Sequence, residues 1–314
     1  MTPDNIQSMQ HEQRLFTPPA ASRAHIPDMA TYEEHYRRAD QDPDGYWGDR
    51  AKELISWAKP FDKVMDCDLR IPKINWFVNG QLNVSYNCLD RHVENGNGDK
   101  TAIIWQGEPE EDVRHISYRE LLADVIRFAN ILKKLGVQRG DRVALYMPMV
   151  PELAVAMLAC TRIGATHSIV FAGFSAASLM NRIQDCEAKV VVTADAVLRA
   201  GKKIPLKGNV DDALKDCPSV TSCVVLKRAG NDINMVADRD LWWDDVMADP
   251  NLATDCPCEA MDAEDLLFIL YTSGTTGKPK GVVHTTGGYL TYAAHTTQYV
   301  FNLFEDDIHF CTAD

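Results

Sequence analysis

The 314-residue chain is short of the marks of several protein classes. No apolar run approaches the roughly 18 residues that a membrane-spanning helix needs, so no span is expected. Cations are scarce: 32 Lys and Arg stand against 45 Asp and Glu, a net charge of −13. Such a balance argues against nucleic acid or an anionic membrane as a partner, but not against a small anionic ligand held by local charge. The nine cysteines form no CxxC pair, and only Cys256 and Cys258 stand close together. Buried or idle thiols in a reducing compartment are expected, rather than a disulfide framework or a metal-ligating set. The opening "MTPDNIQSMQHEQRLFTPP" has no basic stretch followed by an apolar core. No signal peptide is expected, and the location is expected to be cytoplasmic. There is no internal repeat and no low-complexity tract.

What is present is ordinary in bulk and specific in pattern. Hydrophobic residues at 46% and charged residues at 25% suit a soluble globular protein, and the length favours about two domains. Residues 1–29 are polar, punctuated by Pro18, Pro19 and Pro27, and are expected to form a flexible tail. "TYEEHYRRADQDPDGYWGDRAKELISW" reads as two short helices. Thr31 and Glu34 have capping-box spacing, and "DPDG" breaks the run. The "HVENGNGDK" turn is the best boundary, giving a segment 30–92 and a domain 93–314.

Past that turn, strands and helices alternate. "TAIIW" is a strand. "SYRELLADVIRFANILKKLG" is a helix with a Ser117/Glu120 capping box, apolar residues at helical spacing and Gly136 as its stop. "RVALYM", "HSIVF", "KVVVT" and "SCVVLK" read as strands. "PELAVAMLACTRIG" and a segment from Ser175 read as helices, and "DLWWDDVM" as a short one. Alternation of this kind predicts an α/β fold, doubly wound around a mostly parallel sheet.

The apolar run Leu266–Leu270 reads as a buried parallel strand, and "TSGTTGKPKG" follows it. Parallel sheets place ligands at the carboxyl ends of their strands. Gly274 and Gly277 allow close backbone approach. Thr272, Ser273, Thr275 and Thr276 supply hydroxyls, and Lys278 and Lys280 supply charge, an inventory suited to phosphate oxygens. It is not the G-x-x-x-x-G-K-[ST] loop, since Pro279 follows Lys278. Composition alone leaves a phosphate loop and a solvated Gly/Ser/Thr loop both open. "RAGKKIPLK" gathers Arg199, Lys202, Lys203 and Lys207, either a solvated basic turn or a phosphate-binding patch. His284 reads as a hydrogen-bonded structural histidine. Trp76, Trp105, Trp242 and Trp243 read as packing.

"YTSGTTGKPKG" resembles the signature loop of the adenylate-forming enzymes: acyl-CoA synthetases, luciferases and peptide-synthetase adenylation domains. "NCLDRHVENGNGDKTAIIW", "YMPMVPELAVAMLACTRIGATHSIVF", "RAGKKIPLK" and "GVVHTTGGYLTYAAHTTQYVF" look like the acetate–CoA ligases. The resemblance spans about residues 30–314. It implies activation of acetate by ATP to acetyl-AMP and transfer to CoA, releasing pyrophosphate and AMP. It implies ATP, CoA and Mg²⁺, the last held largely by the triphosphate. It sets Thr272, Ser273, Gly274, Thr275, Thr276, Gly277, Lys278 and Lys280 on the ATP phosphates. It sets Phe171, Ala172, Gly173, Arg199, Ala200, Gly201 and Lys202 on CoA. Two departures stand out: relatives usually have Gly where Ala172 stands and Arg where Lys202 stands. The acyl pocket, the acids that hold adenine and ribose, and the adenylating lysine of the family have no counterpart up to Asp314. No catalytic residue is therefore expected within these residues, and the chain alone is expected to be inactive. A propionate–CoA ligase and a truncated nucleotide- or CoA-binding module are the alternatives.

Overall fold

A computed structural model describes residues 23–272 and 279–311. The expected tail up to residue 22 and the loop Ser273–Lys278 lie outside the described residues, as do 312–314.

The first layer holds α1 (Met29–Gln41) and α2 (Pro43–Leu54). Thr31 does not cap α1. Asp28 does, accepting from the Thr31 N–H at 2.8 Å, because the helix starts one turn earlier than the Thr31/Glu34 spacing suggests. The expected break is real: Asp42 caps α2, and Pro43 fills its first turn, where a missing N–H is harmless. A hairpin of β1 (Lys63–Asp68) and β2 (Lys73–Val78) follows, then the short β3 (Gln81–Leu82). Ahead of α1, Arg23 pairs with Asp306 at 2.6 Å, and His25 stacks on Phe304 at 4.0 Å.

β4 (Thr101–Gln106) is the strand expected at 101–105, but it does not join the main sheet. It pairs antiparallel with β5 (Val113–Ser117) in a two-stranded sheet of its own. α3 (Tyr118–Lys134) begins with the expected capping box. Ser117 Oγ accepts from Glu120 N, and the Glu120 carboxylate accepts from Ser117 N. Its buried face, including Leu121, Val125, Phe128 and Leu132, follows the helical repeat, and Phe128 stacks on Trp243 at 4.2 Å. Gly136 ends the run at φ +82°, a conformation costly for a residue with a Cβ.

The remaining elements are β6 (Arg142–Tyr146), α4 (Pro151–Arg162), β7 (Thr166–Ile169), α5 (Ala176–Cys186) and β8 (Val190–Ala194). Next come β9 (Ala196–Arg199), β10 (Lys202–Pro205), α6 (Lys207–Leu214), β11 (Ser222–Leu226), β12 (Asp240–Trp242) and α7 (Trp243–Met247). β13 (Met261–Asp262), β14 (Leu266–Thr272), β15 (Lys280–Thr285) and α8 (Thr286–Tyr299) complete the described chain. The main sheet has seven strands in the order β12-β11-β8-β6-β7-β14-β15. All its pairs are parallel except β14 with β15. This is the expected doubly wound α/β architecture. β8 is buried along its whole length, as its unbroken Val-Val-Val run requires in a sheet covered on both faces.

Two expectations change here. Asp240–Trp242, read as helix, is an edge strand beside β11, and only Trp243–Met247 is helical. Three residues, one of them an aspartate and one a tryptophan, carry too little helical preference to resist pairing at the sheet edge. The run Leu266–Leu270 is buried only at its centre; Leu266 and Leu270 are exposed.

From β6 the chain crosses to β7 on one side, whereas from β8 it leads to β11 on the other. β6 and β8 are neighbours, so their carboxyl ends flank a topological switch point, where doubly wound sheets bind ligands. Arg162, only 4% exposed, locks the first layer to this sheet. It grips Asp90 at 2.8 and 2.9 Å and donates to Cys256 O.

Candidate functional site

A cavity of about 600 Å³ opens at the carboxyl ends of β6, β7, β8, β11 and β14. Met147–Val150 reach it from β6, Ile169–Phe174 from β7, and Arg228 from β11. Its lining is mostly apolar and includes Arg182, Arg199 and Arg228, which suits a ligand with an apolar part and an anionic part.

The turn after β7 builds one wall. Phe174 N donates to Phe171 O at 3.0 Å, closing the turn. The buried Tyr146 at the end of β6 donates its hydroxyl toward two carbonyls of the turn, Ala172 O at 2.9 Å and Phe174 O at 2.7 Å. Asn209 in turn donates to the Tyr146 oxygen at 3.2 Å. Burial pushes the Tyr146 phenol up, so the donor is retained. Phe171 and Phe174 meet edge to face at 5.6 Å. Gly173 lies under the Phe171 ring, and a Cβ there would come within 2.4 Å of it. Phe171, Ala172 and Gly173 thus all line the cavity.

The basic segment divides. Arg199, the last residue of β9, lines the cavity. Ala200 (φ +51°) and Gly201 (φ +71°) make the two-residue turn into β10, the left-handed pair that a tight hairpin requires. Gly201 N donates to Glu108 at 2.6 Å. Lys202 begins β10 and is exposed; neither it nor Ala200 and Gly201 line the cavity. Lys203 donates to Ala229 O at 2.7 Å. Lys207 does not belong to a phosphate patch. It is 1% exposed, and its amine is held by Asp211 at 2.6 Å and Asp240 at 2.8 Å. Asp211 is a near neighbour in sequence, but Asp240 lies 33 residues on, at the far edge of the sheet.

Thr272 and Lys280 face each other across the open end of the β14–β15 pair. Ser273, Gly274, Thr275, Thr276, Gly277 and Lys278 lie outside the described residues. Both ends of that segment meet cavities. Leu270 and Tyr271 line the large one, while Tyr271 and Pro279 line a neighbouring space of about 350 Å³. Tyr271 donates to Asp185 on α5 at 2.7 Å, and burial, then this carboxylate, raise its phenol well above its ordinary value.

Sequence reading missed several residues here. Trp105, read as packing, also lines the cavity, donates to Met149 O at 2.8 Å and lies 5.1 Å beneath Arg228. Asp195, fully buried after β8, accepts from the N–H groups of Ala196, Arg228, Ala229 and Asn231. Burial pushes its carboxyl up, but these donors more than offset that and hold it below the usual range. It fixes the β11 exit loop and with it Arg228. Arg182 separates the two cavities. No local motif marks any of these; each gains its place from residues far off in the chain. His284 stacks on Phe268 at 4.5 Å. Among the described residues no three His, Cys, Asp or Glu side chains are grouped to hold a metal ion. None of the helices described is long and apolar enough to cross a membrane.

Comparison with known proteins adds to this geometry. Residues 89–314 match the family model described as AMP-binding enzyme, and residues 32–88 match the acetyl-coenzyme A synthetase N-terminus. The acetyl-coenzyme A synthetase of Rubrobacter xylanophilus is 54% identical over 303 residues, covering 96% of this chain and 46% of its own length. That of Magnetococcus marinus is 56% identical over 283 residues, covering 90% of this chain and 44% of its own. Acetyl-coenzyme A synthetase 2 of Pseudomonas aeruginosa is 53% identical over 292 residues, covering 93% and 45%. The chain spans under half the length of these relatives.

Proposed function

The chain belongs to the AMP-binding enzyme family, and we propose that it forms the phosphate-loop and CoA-facing half of an AMP-forming acetate–CoA ligase. Segment 30–92 is its N-terminal layer, and 93–314 is part of its adenylate-forming domain. In the reaction, acetate attacks the α-phosphorus of ATP to give acetyl-AMP and pyrophosphate. The CoA thiol then takes the acetyl group and releases AMP. Mg²⁺ enters with ATP as part of that substrate. The free state of all nine cysteines supports a reducing, cytoplasmic setting.

One observation carries the reading. The Phe171–Gly173 turn, Arg199 and the root of the hydroxyl-rich loop at Tyr271 all line one cavity at the sheet's switch point. On this reading the loop from Thr272 to Lys280 neutralises charge on the leaving pyrophosphate. An in-line displacement at phosphorus gains most from such positioning and charge. The turn and Arg199 receive the CoA nucleotide, Arg199 offering a fork to a phosphate. Ala200 and Gly201 shape the hairpin that presents Arg199, and Lys202 adds charge outside the cavity.

The test uses an enzyme of the relatives' full length carrying this sequence. Acetate, ATP and CoA should give acetyl-CoA, AMP and pyrophosphate in equal amounts; no acetate-dependent pyrophosphate release would end the proposal. Arg199→Ala should raise the KM for CoA about ten- to a hundredfold, the loss of one charge-assisted contact of about 1.5–3 kcal/mol. Acetate-dependent ATP–pyrophosphate exchange should stay near wild type. Equal loss in both assays would remove Arg199 from the CoA site.

A further inference from the structure

Arg182 is a buried charge that the fold does not explain. It is only 7% exposed, yet it lines both cavities at the carboxyl edge of the sheet. The other fully buried arginine among the described residues, Arg162, has Asp90. Of the half-buried ones Arg239 has Asp211 and Asp240, while Arg91 and Arg127 are held by carbonyls and, for Arg91, the Asn87 amide. Among the described residues no carboxylate stands within ion-pair distance of Arg182. The nearby Asp185 is engaged by the Tyr271 hydroxyl. What holds Arg182 is neutral. Its guanidinium lies 4.5 Å from the Phe174 ring and 5.4 Å from the Tyr271 ring, and one nitrogen donates to Ser178 O at 2.7 Å. Burial lowers its pKa, and the Tyr271 phenol offsets the effect only in part.

Such a group is hard to account for as a stabiliser. A buried cation without a counter-charge lowers stability, and aromatic faces and one carbonyl compensate only in part. The two rings and the Ser178 carbonyl nevertheless hold the guanidinium while leaving its other N–H groups without a hydrogen-bond partner among the described residues. That is the arrangement of a pre-oriented fork that awaits an anion. Its position agrees: Phe174 belongs to the turn that walls the large cavity, and Tyr271 is the root of the hydroxyl-rich loop. α5, an eleven-residue helix, also starts at this edge of the sheet, so its positive end adds to the field there.

We propose that Arg182 is a binding residue for a phosphate oxyanion of the substrate, seated between the Phe174 and Tyr271 rings at the junction of the two cavities. The inference rests on the reading of the site given above. The oxyanion belongs either to the ATP polyphosphate or to the phosphates of CoA, and one set of measurements separates the two.

In an enzyme of full length carrying this sequence, Arg182→Met fills the slot between the rings without charge, and Arg182→Lys keeps the charge without the fork. Calorimetric titration with inorganic pyrophosphate probes the seat independently of acetate chemistry. The KM values for ATP, in acetate-dependent exchange, and for CoA, in the complete reaction, identify the source. We expect Arg182→Met to raise one KM at least tenfold and to leave the melting temperature of the unliganded enzyme unchanged or higher. Arg182→Lys should recover part of the loss. A raised KM for ATP, with weakened pyrophosphate binding, assigns the polyphosphate. A raised KM for CoA, with exchange intact, assigns CoA. KM values for both substrates within twofold of wild type, with a lowered melting temperature, would make Arg182 a packing wedge and overturn the inference, while leaving the ligase reading in place. Conversely, a wild type that binds pyrophosphate through Arg182 but makes no acetyl-CoA would remove the ligase reading and keep the anion seat.

Discussion

Gly173→Ala isolates the turn from the rest of the fold. Gly173 does not have positive φ, so alanine fits its backbone without strain. The new Cβ would stand 2.4 Å from Cε1 and 3.0 Å from Cζ of Phe171. Those are the far atoms of a half-exposed ring, so the ring swings away and the backbone stays. The fold loses the edge-to-face contact between Phe171 and Phe174, worth about 0.5–1.5 kcal/mol. The cavity loses a ring that, on the proposed function, stacks on the CoA base. Stacking of a nucleobase on an aromatic side chain is worth about 1–3 kcal/mol, which is roughly a five- to 150-fold change in affinity. In an enzyme of full length, the KM for CoA should therefore rise by about that factor, with ATP–pyrophosphate exchange nearly unchanged. The unfolding midpoint should drop only slightly. An unchanged KM for CoA would show that the Phe171 ring does not meet the ligand. A loss of exchange as large as the loss in CoA would show that the turn supports the whole domain.

Two further predictions concern what holds the site in place. Asp90→Ala leaves the buried Arg162 guanidinium without its carboxylate and should lower stability by about 3–5 kcal/mol in urea unfolding; an unchanged midpoint would mean that the clamp is not needed. His167 on β7 is buried against Phe268, and burial pulls its pKa from 6.5 to about 4. The unfolded chain thus takes up this proton first as pH falls, so stability is full above about 6.5 and declines toward 4, by roughly 3 kcal/mol from this group. His167→Leu should flatten that stretch of the stability–pH curve, and an unaltered slope would refute the assignment.

Local grammar was legible where local chemistry decides. The Ser117/Glu120 box, the break at "DPDG" and Gly136 as a stop are each visible in a few residues. The structure uses all of them. The Val-rich strands announced a covered parallel sheet. Pairing was another matter. "TAIIW" has the same apolar, β-branched look as the strands of the main sheet, yet a return strand directly after it captures it in a hairpin. Nothing in five residues records which neighbour arrives first. The Thr31 cap failed for a related reason: Asp28 offers a carboxylate one turn earlier, and the longer helix results.

Charge shows most clearly where composition stops being informative. A run of cations drew attention to Arg199, Lys202, Lys203 and Lys207 together, but they part company in three dimensions. Lys207 turns inward to Asp211 and Asp240, Lys203 is tied to a carbonyl, and only Arg199 reaches the cavity. Arg182, isolated in sequence, and Arg228, next to Lys227 alone, stand at the cavity instead. Arg228 is partnered by Asp112 at 2.6 Å, 116 residues away, whereas Arg182 is left with two rings and a carbonyl. The state of a cation therefore depends on which carboxylates the topology delivers to it.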